Sequence, residues 1–327
     1  MSKKINRRTA ATSLFFALLA SGHALADEFP SKPITMIVPF STGSGSDATG
    51  RYYAEKMATV LGQAVIVENR PGADGMIGMM AAKRAPADGY TIVQGGISPS
   101  AVNVVTRENM AYDPIKDFEP IFGYAYGANG NVVLVSVDSP FNTLKDLLQY
   151  AKESKKPLNV GTFSTTLYLS AAWLAELGQF KMENIPYKGQ AAAMTDLMGN
   201  RLDFALLDFA GSKKLVEAGK VRALAVSAEH RAKELPDVPT VKESGLNDYV
   251  QYSWNALFIR SDTPAAIKAK LANAVREVML NPLTMKELHG PNGTQPKAVD
   301  SKEVRAMQIK EIATFQSIAD KIHFKKF

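Results

Sequence analysis

Lys32-Pro33-Ile34-Thr35-Met36-Ile37-Val38-Pro39-Phe40-Ser41-Thr42-Gly43-Ser44-Gly45-Ser46-Asp47 is the stretch on which the fold turns. Residues 34–40 are apolar and β-rich, which predicts a buried strand. A polar Gly/Ser loop follows from Ser41 to Ser46. Residues 47–61 then read as an amphipathic helix whose charged face holds Arg51, Glu55 and Lys56. Strand, loop and helix in that order open a βαβ unit. Working outward, 64–68 reads as a strand, 75–84 as a helix and 90–94 as a strand, with Arg70-Pro71-Gly72 and Ala87-Asp88-Gly89 as the turns. The rhythm restarts at Val132: strand 132–137, helix 143–154, strand 158–160, helices 170–178 and 191–198, and strands 204–207 and 223–226. Residues 251–259 read as a return crossing, followed by helices over 264–280 and 302–322. The expected class is α/β, with largely parallel sheets in two lobes and a ligand cleft between them. Lobe 1 is expected over 27–130 plus 252–327 and lobe 2 over 131–251.

The N-terminus has its own grammar. Lys3, Lys4, Arg7 and Arg8 precede an uncharged, mostly apolar run over 9–20, and Ala24-Leu25-Ala26 stands ahead of Asp27. That is a secretory signal, residues 1–26, with cleavage after Ala26 and delivery to the periplasm. The apolar run is well short of the ~20 residues a spanning helix needs. Arg7-Arg8 leaves a twin-arginine route open beside the general one. Removing 1–26 takes away two lysines, two arginines and no acid, so the net charge falls from +6 to +2. With no long basic run in the remainder, no nucleic-acid partner is expected.

The chain has no cysteine and four histidines, of which His23 lies in the signal and His230, His289 and His323 are scattered. Metal sites and Ser-His-acid catalysis both draw on histidine. Neither an H-E-x-x-H spacing nor a G-x-S-x-G elbow occurs. No metal, no cofactor and no catalysis is expected, and a secreted hydrolase lacks its base.

Gly43-Ser44-Gly45-Ser46-Asp47-Ala48 satisfies the G-x-G-x-x-G/A dinucleotide pattern, with Glu68 near the position of a ribose-binding acid. Yet Pro39, Phe40, Ser41 and Thr42 separate the strand from the first glycine, which puts the helix too far from a pyrophosphate. A smaller anion suits the loop better. Helix N-terminal amides with the hydroxyls of Thr42, Ser44 and Ser46 form a donor cluster for a carboxylate, with Asp47 turned back to cap its helix.

The stretch 32–47, Val67-Glu68-Asn69-Arg70-Pro71-Gly72-Ala73 and Ala85-Pro86-Ala87-Asp88-Gly89-Tyr90-Thr91 together resemble the Bug-type receptors of tripartite tricarboxylate transport systems. So do Tyr112-Asp113-Pro114, Pro186-Tyr187-Lys188-Gly189, Ala218-Gly219-Lys220-Val221-Arg222-Ala223-Leu224-Ala225 and Leu235-Pro236-Asp237-Val238-Pro239-Thr240-Val241. They run in family order over essentially all of the chain after the signal. The resemblance implies a two-lobed periplasmic-binding-protein fold, type II-like, that closes on a small carboxylate and serves an inner-membrane permease as a monomer. It implies two gripping loops: Ser41, Thr42, Gly43, Ser44, Gly45 and Ser46 in one, and Thr162, Phe163, Ser164, Thr165 and Thr166 in the other. Ser98, Tyr168, Asp208 and Phe209 fall near the cleft by family position, as does Trp254, which reads as a hinge brace.

Departures from the family pattern bear on the ligand. Ser41-Thr42 stands where the family has a pair of prolines, Phe163 interrupts a run of small residues, and Leu167-Tyr168-Leu169 replaces a smaller stretch. A flatter, more apolar pocket follows if those rings face the cleft, which suits an aromatic mono- or dicarboxylate such as a phthalate isomer. If they are core, the ligand is an aliphatic di- or tricarboxylate.

Overall fold

The structure, a computed structural model, describes residues 29–127, 130–284, 294–295 and 298–327. The export segment assigned to 1–26 lies outside them.

Two sheets organise the chain. In the first, β1 (Ile34–Val38), β2 (Val65–Asn69) and β3 (Thr91–Gly96) are parallel, while β4 (Phe118–Gly127), β10 (Ser253–Arg260) and the short β11 (Thr294–Gln295) run antiparallel beside β3, in the order β11-β4-β10-β3-β1-β2. The second holds β5 (Asn131–Ser136), β6 (Leu158–Thr162), β7 (Met182–Pro186), β8 (Phe204–Asp208) and β9 (Val221–Val226), in the order β7-β6-β8-β5-β9. β6 is parallel to β7 and β8, whereas β5 is antiparallel to β8 and β9. Both sheets are therefore mixed, which corrects the expectation of largely parallel ones: the strands that cross between lobes enter against the grain of the βα units.

The helices follow their sequence signals. Among them α1 (Gly45–Leu61) and α2 (Met76–Arg84) flank the first sheet. After the short α3 (Asn103–Thr106), α4 (Leu144–Glu153) opens with a capping box in which Thr143 and Asp146 satisfy each other's backbone amides. Next come α5 (Thr165–Gly178), α6 (Gln190–Met198), α7 (Phe209–Glu217), α8 (Ala265–Leu280) and α9 (Ser301–Lys321).

Helix α5 belongs to both lobes. Leu167, Ala171 and Leu174, spaced four and three apart, bury into the core under β5, β6 and β8. Leu169 and Ala172, on another face, join the core formed by Ile37, Val93, Trp254, Phe258, Phe315 and Ile318 of the first lobe. The contact continues to the helix end, where Glu176 pairs with Lys321 of α9 at 2.5 Å.

A buried polar knot marks where the chain passes between sheets. The Asn131 amide donates to Ser227 Oγ at 2.7 Å, Ser227 Oγ donates to the Gln251 carbonyl at 2.7 Å, and Asn131 Nδ2 donates to Gln251 Oε1 at 2.7 Å. Gly130 enters the knot with φ +60°, and a Cβ there would stand 2.3 Å from Ser227 Oγ. Only glycine fits that conformation and that gap.

Candidate functional site

In the first sheet β1 is flanked by β2 on one side and β3 on the other, so the chain crosses from β1 to β2 and then back past β1 to β3, reversing direction at β1. The crevice outside the carboxyl ends of β1 and β3 is thus a topological switch point, the place where open α/β sheets bind ligands. The second sheet repeats the arrangement around β6, with β7 and β8 on either side. Two such crevices are therefore available.

They meet. Ser98 follows β3 and Thr166 lies in the first turn of α5, after β6, and their hydroxyls share a 2.9 Å hydrogen bond across the interface of the lobes. Ser98 sits in a π-helical turn, Ser98–Val102, entered directly from the strand. The rings of Pro99 and Pro39 both close on Gly75, which ties the three loops of the first crevice together.

The loop after β1 is more internally committed than its sequence suggests. Strand β1 stops at Val38, because Pro39 has no amide to extend the ladder. Ser44 is the N-cap of α1, its Oγ accepting from the Asp47 amide at 3.1 Å, so the capping role expected of Asp47 falls to Ser44. Asp47 instead accepts the Gly43 amide at 2.8 Å, Asn69 Nδ2 at 2.9 Å and Arg51 Nε at 3.0 Å. Those donors, the Gly43 amide first and Asn69 next, hold its carboxyl below the ordinary carboxylate range. Asn69 also donates to the Phe40 carbonyl at 3.0 Å and accepts from Thr42 Oγ1 at 3.2 Å. Asp47 is thus a buried strut with its charge met by Arg51, and an anion at the loop faces no naked carboxylate. Ser41, Thr42, Gly43 and Gly45 are exposed at the rim, with Ser44 and Ser46 half-buried beside them.

The second loop is shorter than expected. β6 runs on to Thr162 and α5 begins at Thr165, because Ser164 caps it by accepting the Leu167 amide at 3.2 Å. Thr165 and Thr166 therefore belong to a helix first turn. Thr162 is buried and donates to Asn184 Oδ1 at 2.7 Å, which locks β6 to β7.

The aromatic residues divide clearly. Phe163 packs against both cores of the second lobe, and Phe209 is buried in one of them. Tyr168 stacks on Phe324 with ring centroids 5.8 Å apart, in the seam between α5 and the C-terminal tail. All three have packing duties that the sequence left open. Asp208, at the end of β8, is exposed yet has enough protein around it to push its carboxyl above the ordinary range. Trp254 braces the seam: it is buried and donates through Nε1 to Glu311 Oε2 at 2.8 Å. Burial there raises the Glu311 carboxyl to about 8 against the pull of that hydrogen bond.

Sequence reasoning missed the Asp47–Asn69–Arg51 triangle and the Asn131–Ser227–Gln251 knot. Asn69 had a signal, since it stands inside Val67-Glu68-Asn69-Arg70-Pro71-Gly72-Ala73, and the knot had none.

Two lobes with facing switch-point crevices, joined by crossing strands, define a solute-binding protein. The chain belongs to the tripartite tricarboxylate transporter family receptors (TctC), whose profile matches residues 49–324. A protein of Agrobacterium vitis, "UPF0065 protein in the TAR-I ttuE-ttuC' intergenic region", is 34% identical over 321 residues, covering 97% of this chain and 91% of its own. Among solved structures, R. palustris Rpa4515 with adipate is 28% identical at TM-score 0.78, over 91% of this chain and 100% of that one. The periplasmic binding protein BugD is 27% identical at TM-score 0.74, with the same two coverages. The family is one of receptors, not enzymes.

Proposed function

We propose that the chain is a periplasmic receptor that closes two lobes on a small organic carboxylate and presents it to an inner-membrane permease. The observation that carries this is the Ser98–Thr166 bond, which joins the switch-point loops of the two sheets. In this reading the N-termini of α1 and α5, with the hydroxyls of Ser41, Ser46 and Thr165 and the rim amides of the first loop, supply the ligand's donors. Such groups are hydrogen-bond donors aimed where an anion is stabilised. A ligand that bridges them favours the closed form over the open one.

Within the carboxylates the reading is an aliphatic di- or tricarboxylate. Phe163 and Phe209 pack into the second lobe and Tyr168 against Phe324 in the seam, which supports an aliphatic ligand over a planar aromatic one. Rpa4515 was solved with adipate, a flexible aliphatic diacid, in keeping with this. Calorimetry against adipate, malate, citrate, benzoate and phthalate tests it. Heat from the aliphatic acids alone is the expected result; tight binding of benzoate or phthalate with silence from the others overturns the aliphatic assignment, and silence from all of them overturns the receptor's carboxylate class.

A further inference from the structure

Asp208 is the last residue of β8 and the N-cap of α7. Its place in the cleft follows from register. Gly161 pairs with Ala205 in the parallel ladder of β6 and β8, so the carboxyl ends of both strands, Asp208 at one and the loop leading to Ser164, the cap of α5, at the other, lie on the same edge of the sheet. On the other side β5 pairs Asn131 with Asp208, beside the polar knot. Asp208 therefore stands at the edge of the second sheet from which α5 and α7 depart, at its switch point.

Its main chain is fully engaged: the Asp208 carbonyl accepts from Ser212 Oγ at 2.7 Å and from Gln190 Nε2 at 3.3 Å. Its side chain is not. Among the described residues the carboxyl has no hydrogen-bond partner, and it does not cap its own helix although it is placed to do so. The side chains brought up to the residue are neutral: Gln190 of α6 and Ser212 of α7 on its carbonyl, and Asn131 opposite it on β5. Lys213 of α7 is paired with Glu217 at 3.7 Å. Desolvation by the surrounding protein raises the carboxyl, and no lysine, arginine or second acid adds to or opposes that shift.

An ionised, unpartnered carboxylate on the wall of an anion cleft would repel the ligand, and helix N-termini alone would favour that ionised form. A carboxylic acid in the same position does the opposite, because it adds a donor. We propose that Asp208 is a specificity-determining residue of the carboxylate site, meeting the ligand as an acid whose O–H donates to a ligand carboxylate oxygen. This rests on the carboxylate reading above. The balance is simple: one proton passes from solvent to Asp208 as the complex forms, and no covalent bond to the ligand is made. Selection follows from it, since a fully ionised diacid is accepted while a ligand with an ammonium at that end meets a neutral donor instead of a counter-charge.

Adipate titrations of the purified receptor, wild type, Asp208→Asn and Asp208→Ala, at about pH 6 and about pH 8.5 and in two buffers of different ionisation enthalpy, test the proposal. In the wild type, affinity is expected to fall by about tenfold or more at the higher pH, with an apparent heat that depends on the buffer because a proton is taken up. Asp208→Asn keeps an N–H donor and is expected to bind equally well at both pH values. Asp208→Ala is expected to weaken adipate about tenfold at the lower pH, the loss of one hydrogen bond to a charged group. The side chain makes no internal bond, so neither variant should melt below the wild type at either pH, which a thermal scan verifies. Wild-type binding that ignores both pH and buffer, or an asparagine variant as weak as the alanine one, overturns this proposal alone. If adipate gives no heat, malate and citrate take its place, and failure of all three overturns the carboxylate reading and this inference with it.

Discussion

Removing either hydroxyl of the Ser98–Thr166 pair takes away a direct polar link between the lobes, and the size of the effect can be worked out in advance. The bond is 2.9 Å long, neutral and part-buried. A hydrogen bond of that kind contributes about 0.5–1.5 kcal/mol net, which is about two- to tenfold in an equilibrium constant. Ser98→Ala and Thr166→Val change little else, since Thr166 keeps its shape and its carbonyl still accepts from Ser170 Oγ at 2.7 Å. Because the bond exists only when the lobes are together, that loss falls on closure, and so on ligand affinity more than on the stability of each lobe. Each single variant should weaken acid binding by about two- to tenfold, and the double variant should be no weaker than the worse single one. The assay is a double-mutant cycle on dissociation constants measured by calorimetry, with small-angle scattering of the free proteins to follow opening. Additive losses, with a coupling under about 0.3 kcal/mol, would show that the pair does not act as a unit and would refute the closure argument.

Glu311→Gln tests the buried acid behind Trp254. With a carboxyl raised to about 8 in the folded protein and near 4.5 when unfolded, the folded state holds the extra proton between those values, so wild-type stability declines as pH rises through that window. Glutamine still accepts from the indole and cannot ionise; the variant should gain stability over wild type as pH rises from about 5 to about 8, by up to about 1.4 kcal/mol per pH unit. Parallel slopes of melting temperature against pH would show the group is not buried in this way. Gly130→Ala should destabilise the chain by about 2 kcal/mol or more, since its Cβ would meet Ser227 Oγ at 2.3 Å and the Gln251 carbonyl at 2.5 Å. An unchanged denaturant midpoint would mean the knot does not hold the crossing segments together.

What could be read from residues alone follows from how locally each feature is encoded. β1, β5 and β8 are continuous apolar runs, and α1, α8 and α9 carry long periodic faces, so neighbouring side chains are enough to place them. β4 was missed because Pro120, Gly123 and Gly127 interrupt its pattern, and β7 because its edge strand Met-Glu-Asn-Ile-Pro is only half-buried. The second loop was drawn too long because Ser164 caps α5 six residues ahead of Ser170, where the expected helix begins. Positions of the two gripping loops were legible through their resemblance to a family, but not their bonding. Asp47 reaches Asn69 across 22 residues, and Asn131 reaches Gln251 across 120. The orientation of Phe163 and Phe209 was illegible for a related reason. Each stands at a strand-to-helix junction, where the period changes from 2 to 3.6 and neither pattern says which way a ring points.

Helix α5 has 14 residues and is therefore about 20 Å long, with Ser164 and Thr166 at one end and the Glu176–Lys321 pair at the other. Its middle is wedged against both cores, which act as a fulcrum. It is a stiff lever: a tilt imposed on its first turn by a captured anion must reappear, reversed, at its outer tip. Any such tilt would reach the molecular surface at the Glu176–Lys321 pair, far from the cleft itself.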